Sequence, residues 1–128
     1  VAASAGHAIA AGALLMLASD TRFGVGGDAK YGLNETAIGM TLPPFGLQIA
    51  LCRVSKRHQT QAIIQASLYN AEGAQRAGFL DEIVSVEELE QSAFAKATEL
   101  AELPTQAYAA MKLDVRRDYI DIIAASLS

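Results

Sequence analysis

The residue in this sequence best suited to moving a proton is Glu35. It stands in an apolar stretch, Leu33 to Leu42, with no Lys or Arg close in sequence. Burial without a cationic neighbour raises a carboxyl pKa and fits the group for general acid–base work. A loop glutamate that caps a backbone N–H, or pairs with a distant arginine, is the other reading of the same residue. Ala10, Ala11 and Gly12 are the second candidate, because unpaired N–H groups at a helix start, backed by the helix dipole, stabilise a developing oxyanion. Their small side chains keep the approach open. Close packing of an alanine-rich helix accounts for the same residues without any chemistry. His7 and His58 have no His or Cys partner at helical spacing, so no metal site is expected. Ser4 and Ser19 lie outside any G-x-S-x-G context, and Cys52, on an apolar helix face, reads as an inert core thiol. The run Gly24-Val25-Gly26-Gly27 lacks both the glycine spacing and the Lys-Ser/Thr ending of a phosphate loop and reads as a turn.

The elements that must hold these groups are legible as periodicity and punctuation. Gly6 to Ser19 carries no polar face, which predicts a helix buried on all sides and ended by Asp20. Thr21 to Val25 is β-compatible, and Gly24, Gly26, Gly27 and Asp28 mark a turn. Tyr31 to Gly39 reads as a short strand passing into a loop, which Pro43 and Pro44 keep irregular. Leu47, Ile49, Ala50, Leu51 and Val54 have helical spacing, and a further helix is expected from about Thr60 to Leu68. Glu72 to Ala77 suggests a short helix with Gly78 as its C-cap, followed by a strand at Ile83 to Val86. Val86 to Leu103 is amphipathic. Pro104 breaks it, Thr105 is placed to cap the next helix, and Ala107 to Ser128 continues with Lys112, Arg116, Arg117 and Asp118 on its polar side.

With 128 residues, the chain fits one domain or part of one. Apolar residues make up 52% and charged residues 19%, a composition that folds and that suits a partner surface. Ten Lys and Arg against fourteen Asp and Glu give a net charge of −4 without a basic run, which argues against nucleic acid. A single cysteine closes no internal disulfide and points to a reducing compartment. The apolar run Ala8 to Ala18 is shorter than the ~18 residues of a spanning helix, and no Lys or Arg precedes it as in a signal peptide, so no membrane is expected. The ending Ala-Ser-Leu-Ser is not the peroxisomal Ser-Lys-Leu, which leaves a cytoplasmic location. Opening without Met, directly into apolar sequence, the chain reads as the interior of a longer protein.

Taken in order and spacing, GHAIAAGALLMLASD, YGLNETAIGM, LPPFG and AEGAQRAGFLDEIV resemble the crotonase, or enoyl-CoA hydratase/isomerase, superfamily. The resemblance covers the whole chain and corresponds to the C-terminal half of a usual member. It implies an α/β fold: the C-terminal part of a crotonase-like ββα spiral over residues 1–85, followed by a helical trimerisation region over 86–128. It also implies a homotrimer or a dimer of trimers. The substrate would be an acyl-CoA thioester, with CoA as part of the substrate and no separate cofactor or metal. By similarity, the Ala11 backbone N–H supplies half of an oxyanion hole, its other half coming from the family's N-terminal part. Ala10, Gly12, Leu14 and Pro44 would line the substrate.

Family hydratases use two carboxylates. The position of the first is Leu14 here, and the second aligns with Glu35 once one extra residue in the Gly24 to Asp28 turn is allowed. Leucine neither orients nor deprotonates a water, and Pro44, if it stands where relatives hold that water with a backbone N–H, has none to give. Shifting a double bond from the 3 to the 2 position needs only one base and an oxyanion hole. The resemblance therefore implies a Δ3,Δ2-enoyl-CoA isomerase with Glu35 as proton shuttle. Other enolate chemistry (hydratase, hydrolase, decarboxylase or lyase) and a catalytically silent fragment or subunit are the alternatives.

Overall fold

Every strand in this chain is two or three residues long, too short to show a period of its own, and is defined by the neighbour it pairs with. The computed structural model describes residues 1–128. In chain order the elements are β1 (Ala2–Ala3), β2 (Ala8–Ile9), α1 (Ala11–Ala18), β3 (Arg22–Gly24), β4 (Tyr31–Gly32), α2 (Pro44–Arg53), β5 (Leu68–Tyr69), α3 (Ala71–Ala77), β6 (Glu82–Ile83), α4 (Val86–Ala101) and α5 (Thr105–Ser126). Short 3-10 turns lie at Thr36–Ile38 and Lys56–His58, and a π-turn at Thr60–Ile64.

The chain steps between two small sheets. One has the order β1-β3-β6, all parallel, and the other β2-β4-β5, with β2 and β4 parallel and β5 antiparallel. Each circuit visits one sheet, then the other, then a helix: β1, β2, α1 and then β3, β4, α2. This is the ββα spiral that the family resemblance implies. Tyr31, Phe79, Leu17, Leu33 and Leu80 are the largest fully buried side chains, and alanines at 13, 50, 62, 74 and 77 let the helices approach them closely. The Tyr31 hydroxyl donates to Val25 O (2.9 Å) and accepts from Val25 N–H (3.0 Å), which ties the exit of β3 to β4. A Cβ at Gly24 would come within 2.7 Å of that hydroxyl.

Several expectations are corrected. Gly6 to Ala10 is not helical; Ala8–Ile9 pairs with Tyr31–Gly32 as a strand, and the helix begins at Ala11 and ends at Ala18. Nor is α1 buried all round, since Leu15 is 74% exposed. Pro44 starts α2 instead of breaking structure, because its fixed φ suits the first helical position and its absent N–H has no intrahelical partner there in any case. The helix expected over Thr60 to Leu68 is a single π-turn, and Leu68–Tyr69 is a strand against β4. The strand expected at Ile83 to Val86 lies at Glu82–Ile83, with Val86 already in α4. Thr105 makes no capping bond; Pro104 occupies the cap position of α5.

Other punctuation reads as expected. Gly78 ends α3 in a left-handed conformation (φ 102°), and its missing side chain matters, since a Cβ would lie 2.9 Å from Arg53 O. Ser85, expected within a strand, instead caps α4 by accepting from Glu88 N–H, and α4 docks through Leu89. Helix α5 packs along α2 without burying any residue of its own. No helix is long and apolar enough to cross a membrane.

Candidate active site

Strands β2 and β4 are parallel, with Ala8 opposite Tyr31 and Ile9 opposite Gly32, so the segments that follow them leave the sheet at the same edge. The Ala10 N–H extends the ladder to Gly32 O at 3.0 Å. Ala10 then turns the chain with φ 56° and ψ −121°, a conformation that a side chain rarely adopts and that costs about 1–2 kcal/mol. Leu14 is the first residue of the helix to find a carbonyl, Ala10 O at 3.0 Å. The N–H groups of Ala11, Gly12 and Ala13 have no partner within the chain. Ala11 is exposed, and a Cβ added to Gly12 would meet nothing within 4 Å, so the approach to these donors is open.

After β4 the chain passes through buried Leu33 and reaches Asn34 and Glu35. Glu35 O accepts from Ile38 N–H (3.0 Å) and Met40 N–H (2.9 Å), which coils the loop into a 3-10 turn closed by Gly39 at φ 76°. Thr36 Oγ1 reaches across to Ile63 O at 3.4 Å. Gly32 lies where β5 crosses, and a Cβ there would be 2.8 Å from Ser67 O. The Glu35 side chain is half-buried. Its Oε2 is sealed from solvent with no hydrogen-bond partner, and none of the chain's ion pairs involves it. Glu35 thus neither caps a backbone N–H nor pairs with an arginine. Asn34 Oδ1 is likewise sealed and unpartnered. Two orphaned acceptors on consecutive residues are unusual, since buried polar atoms are nearly always satisfied.

Leu14 lies on the α1 face turned to α2, buried, with its Cδ1 3.1 Å from where a Cβ on Gly46 would stand. Gly46 is the small residue that admits it. Pro44 is exposed at the start of α2, whose first hydrogen bond runs from Leu47 N–H to Pro43 O at 2.9 Å. Ala10, Ala11 and Glu35 therefore share one sheet edge through β2 and β4, while Leu14 meets α2 two residues beyond Pro44, at Gly46. Asn34, Gly32 and Gly46 escaped the reading from sequence. A glycine inside a strand was the available signal for Gly32.

The far end of α1 has a different character. The Asp20 carboxylate accepts from Tyr108 Oη (2.6 Å), Lys112 Nζ (2.8 Å) and Arg116 Nη1 (2.7 Å). Partial burial works against its charge, but the hydrogen bonds from Lys112, Tyr108 and Arg116 outweigh it and hold the carboxyl well below the usual range. Arg53 donates to the carbonyls of Leu17, Ser19 and Asp20, and Arg22 to those of Ser19 and Gly78, so two arginines cap the C-terminal ends of α1 and α3. His7 Nδ1 accepts from Lys30 N–H at 2.9 Å, and His58 packs edge-on to Tyr69. No three His, Cys, Asp or Glu side chains converge on a common point.

The family model for enoyl-CoA hydratase/isomerase matches residues 1–127. A probable enoyl-CoA hydratase from Mycobacterium avium is 33% identical over 117 residues, covering 90% of this chain and 44% of that protein. The crystal structure of an enoyl-CoA hydratase/isomerase family protein from Pseudomonas syringae superposes with a TM-score of 0.90 at 43% identity, covering 94% of this chain and 53% of its own. The human mitochondrial Δ3,Δ2-enoyl-CoA isomerase superposes at 0.87 over 94% of this chain and 47% of its own; at 22% identity it speaks for the fold alone. The chain thus spans about half the length of the relatives it matches. With the family model matching residues 1–127 and the superposition covering 94% of the chain, this chain belongs to the enoyl-CoA hydratase/isomerase, or crotonase, family.

Proposed function

We propose that the protein acts on acyl-CoA thioesters through an enolate, and that its reaction is Δ3,Δ2-enoyl-CoA isomerisation with Glu35 as the single proton shuttle. Glu35 takes a proton from C2, the charge passes to the thioester oxygen as a dienolate, and the same carboxyl returns the proton at C4. No water and no second acid are consumed. The Ala11 N–H is one donor to the thioester oxygen, and such a preorganised donor acts most strongly where charge develops. CoA is part of the substrate, and Ala10, Gly12, Leu14 and Pro44 line it.

The observation that carries this reading is the Glu35 carboxylate, sealed at Oε2, unpaired, and leaving the same sheet edge as the open Ala11 N–H. Leu14 supports isomerisation over hydration, because an apolar side chain packed on Gly46 offers a water neither a base nor an acid. Assembly as a homotrimer or a dimer of trimers belongs to the same proposal, supported by the exposure of Phe94, Met111 and Val115 on α4 and α5. In the purified protein, Glu35→Gln is expected to lower the turnover of a 3-enoyl-CoA by on the order of 10²–10⁴-fold while leaving acyl-CoA binding near normal. Turnover retained in that variant would sink the assignment.

A further inference from the structure

We infer that the groove between α1, α2 and α5 binds a free fatty acid, its carboxylate held by Arg53, Lys112 and Arg116 and its chain laid between α2 and α5. The groove has a volume of about 420 Å³, within the roughly 300–1,000 Å³ of small-molecule sites. Its walls are apolar, with Ile49 and Cys52 on α2 and Leu113, Ile120 and Ile123 on α5. Every charged residue that lines it is a cation: Arg53, Lys112 and Arg116. Phe94, Met111 and Val115, whose exposure supports subunit assembly, lie outside its lining.

The three cations stand together at one end. Lys112 Nζ and Arg116 Nη1 donate to the Asp20 carboxylate, and Arg53 Nη2 donates to Asp20 O, so one negative charge behind the groove wall faces three positive ones. Those bonds leave Arg53 Nη1, Arg116 Nε and Nη2, and two protons of Lys112 without a partner in the chain. A carboxylate placed there gains charge-assisted hydrogen bonds and balances part of the excess charge. Ile120 and Ile123 follow Arg116 along α5 by about 6 and 10 Å, so the cationic end continues into an apolar run. That polarity fits an amphiphile with one anionic head and one straight chain. An acyl-CoA does not fit it, because the carboxyl carbon of its chain is bonded to sulfur and carries no anion. Glu35 and Ala11 do not line the groove, so this site is separate from the chemistry proposed for them.

The test uses decanoate, below its micellar concentration, on the purified protein. Cys52 is the only cysteine of the chain, and its rate of alkylation by iodoacetamide reports from the groove wall. At saturation, decanoate is expected to slow that alkylation by about tenfold or more, and to bind about tenfold more tightly than 1-decanol, the same chain without the charge. Lys112→Gln is expected to weaken decanoate severalfold and leave 1-decanol unchanged. Alkylation that decanoate does not slow, equal binding of acid and alcohol, or decanoate binding unchanged in Lys112→Gln would overturn the inference. So would equal protection by decanoyl-CoA, which would give the groove to the chain of a thioester instead. Should Lys112→Gln fail to fold, the comparison of acid, alcohol and thioester on the unaltered protein decides alone.

Discussion

At the start of α1, the N–H groups of Ala11, Gly12 and Ala13 lack partners, and across the sheet edge Asn34 Oδ1 and Glu35 Oε2 lack them too. At the other end, about 12 Å away for a helix of eight residues, Asp20 takes three donors and Arg53 gives to three carbonyls. One short helix thus joins a region of unsatisfied polar groups to a region of nearly saturated ones. Unsatisfied groups reduce stability and persist where something else, such as a bound substrate, completes them. Saturated groups stabilise the fold and have no capacity left for chemistry.

That contrast is open to direct attack, and the largest effect is expected at the unsatisfied end. Glu35→Gln should abolish most turnover yet change the free energy of unfolding by less than about 0.5 kcal/mol, as measured by urea denaturation, because it removes no bond. A large loss of stability would mean that the carboxylate is structural. Asp20→Ala should do the reverse. It strips three charge-assisted bonds and leaves Lys112 and Arg116 without their counter-ion, for a loss of about 2–4 kcal/mol, while the folded fraction keeps its specific activity.

The elements differ in how far sequence reveals them, for the same physical reason that separates the two ends of α1. Glu35 was visible because its isolation is local: an apolar stretch without a nearby cation is written in adjacent residues. Helix α4 and the cap at Gly78 are visible for the same reason, whereas Ser85, which reads as strand, shows itself as a cap only in the fold. The Asp20 hub was not, since its partners lie 88, 92 and 96 residues away and read only as the polar side of a helix. Ala8–Ile9 and Leu68 read as helix in the sequence because two residues carry no period, and only pairing with β4 makes Ala8–Ile9 and Leu68–Tyr69 strands. Leu14 was singled out by resemblance, whereas the glycine that makes room for it, Gly46, becomes apparent only when α1 and α2 are seen in contact.

Smaller effects sharpen the comparison further. The Asp20 carboxyl is held low, so its stabilising contribution is complete above the unfolded aspartate value of about 3.9 and is lost as the pH falls toward its folded value. Thermal unfolding between about pH 4 and pH 2 should therefore be steeper in pH for the wild type than for Asp20→Asn. Equal slopes would show that other carboxylates govern the acid limb. The mildest change is at Ala10, whose positive φ a glycine adopts without strain. Ala10→Gly should stabilise the protein by about 1 kcal/mol, seen as a raised Tm, and a lowered Tm would assign the methyl group a packing role that outweighs the strain.

The separation between Asp20 and Arg116 also sets a timetable. At about 5–20 residues per second, a ribosome takes roughly 5–20 s to make the 96 residues between them. Through that interval α1, α2 and the strands can assemble, while Ile49 and Cys52 stay uncovered until α5 emerges to lie across them. The groove over α2 therefore closes later than the strands beneath it, and the nascent chain is most vulnerable to aggregation or protease attack there just before α5 arrives.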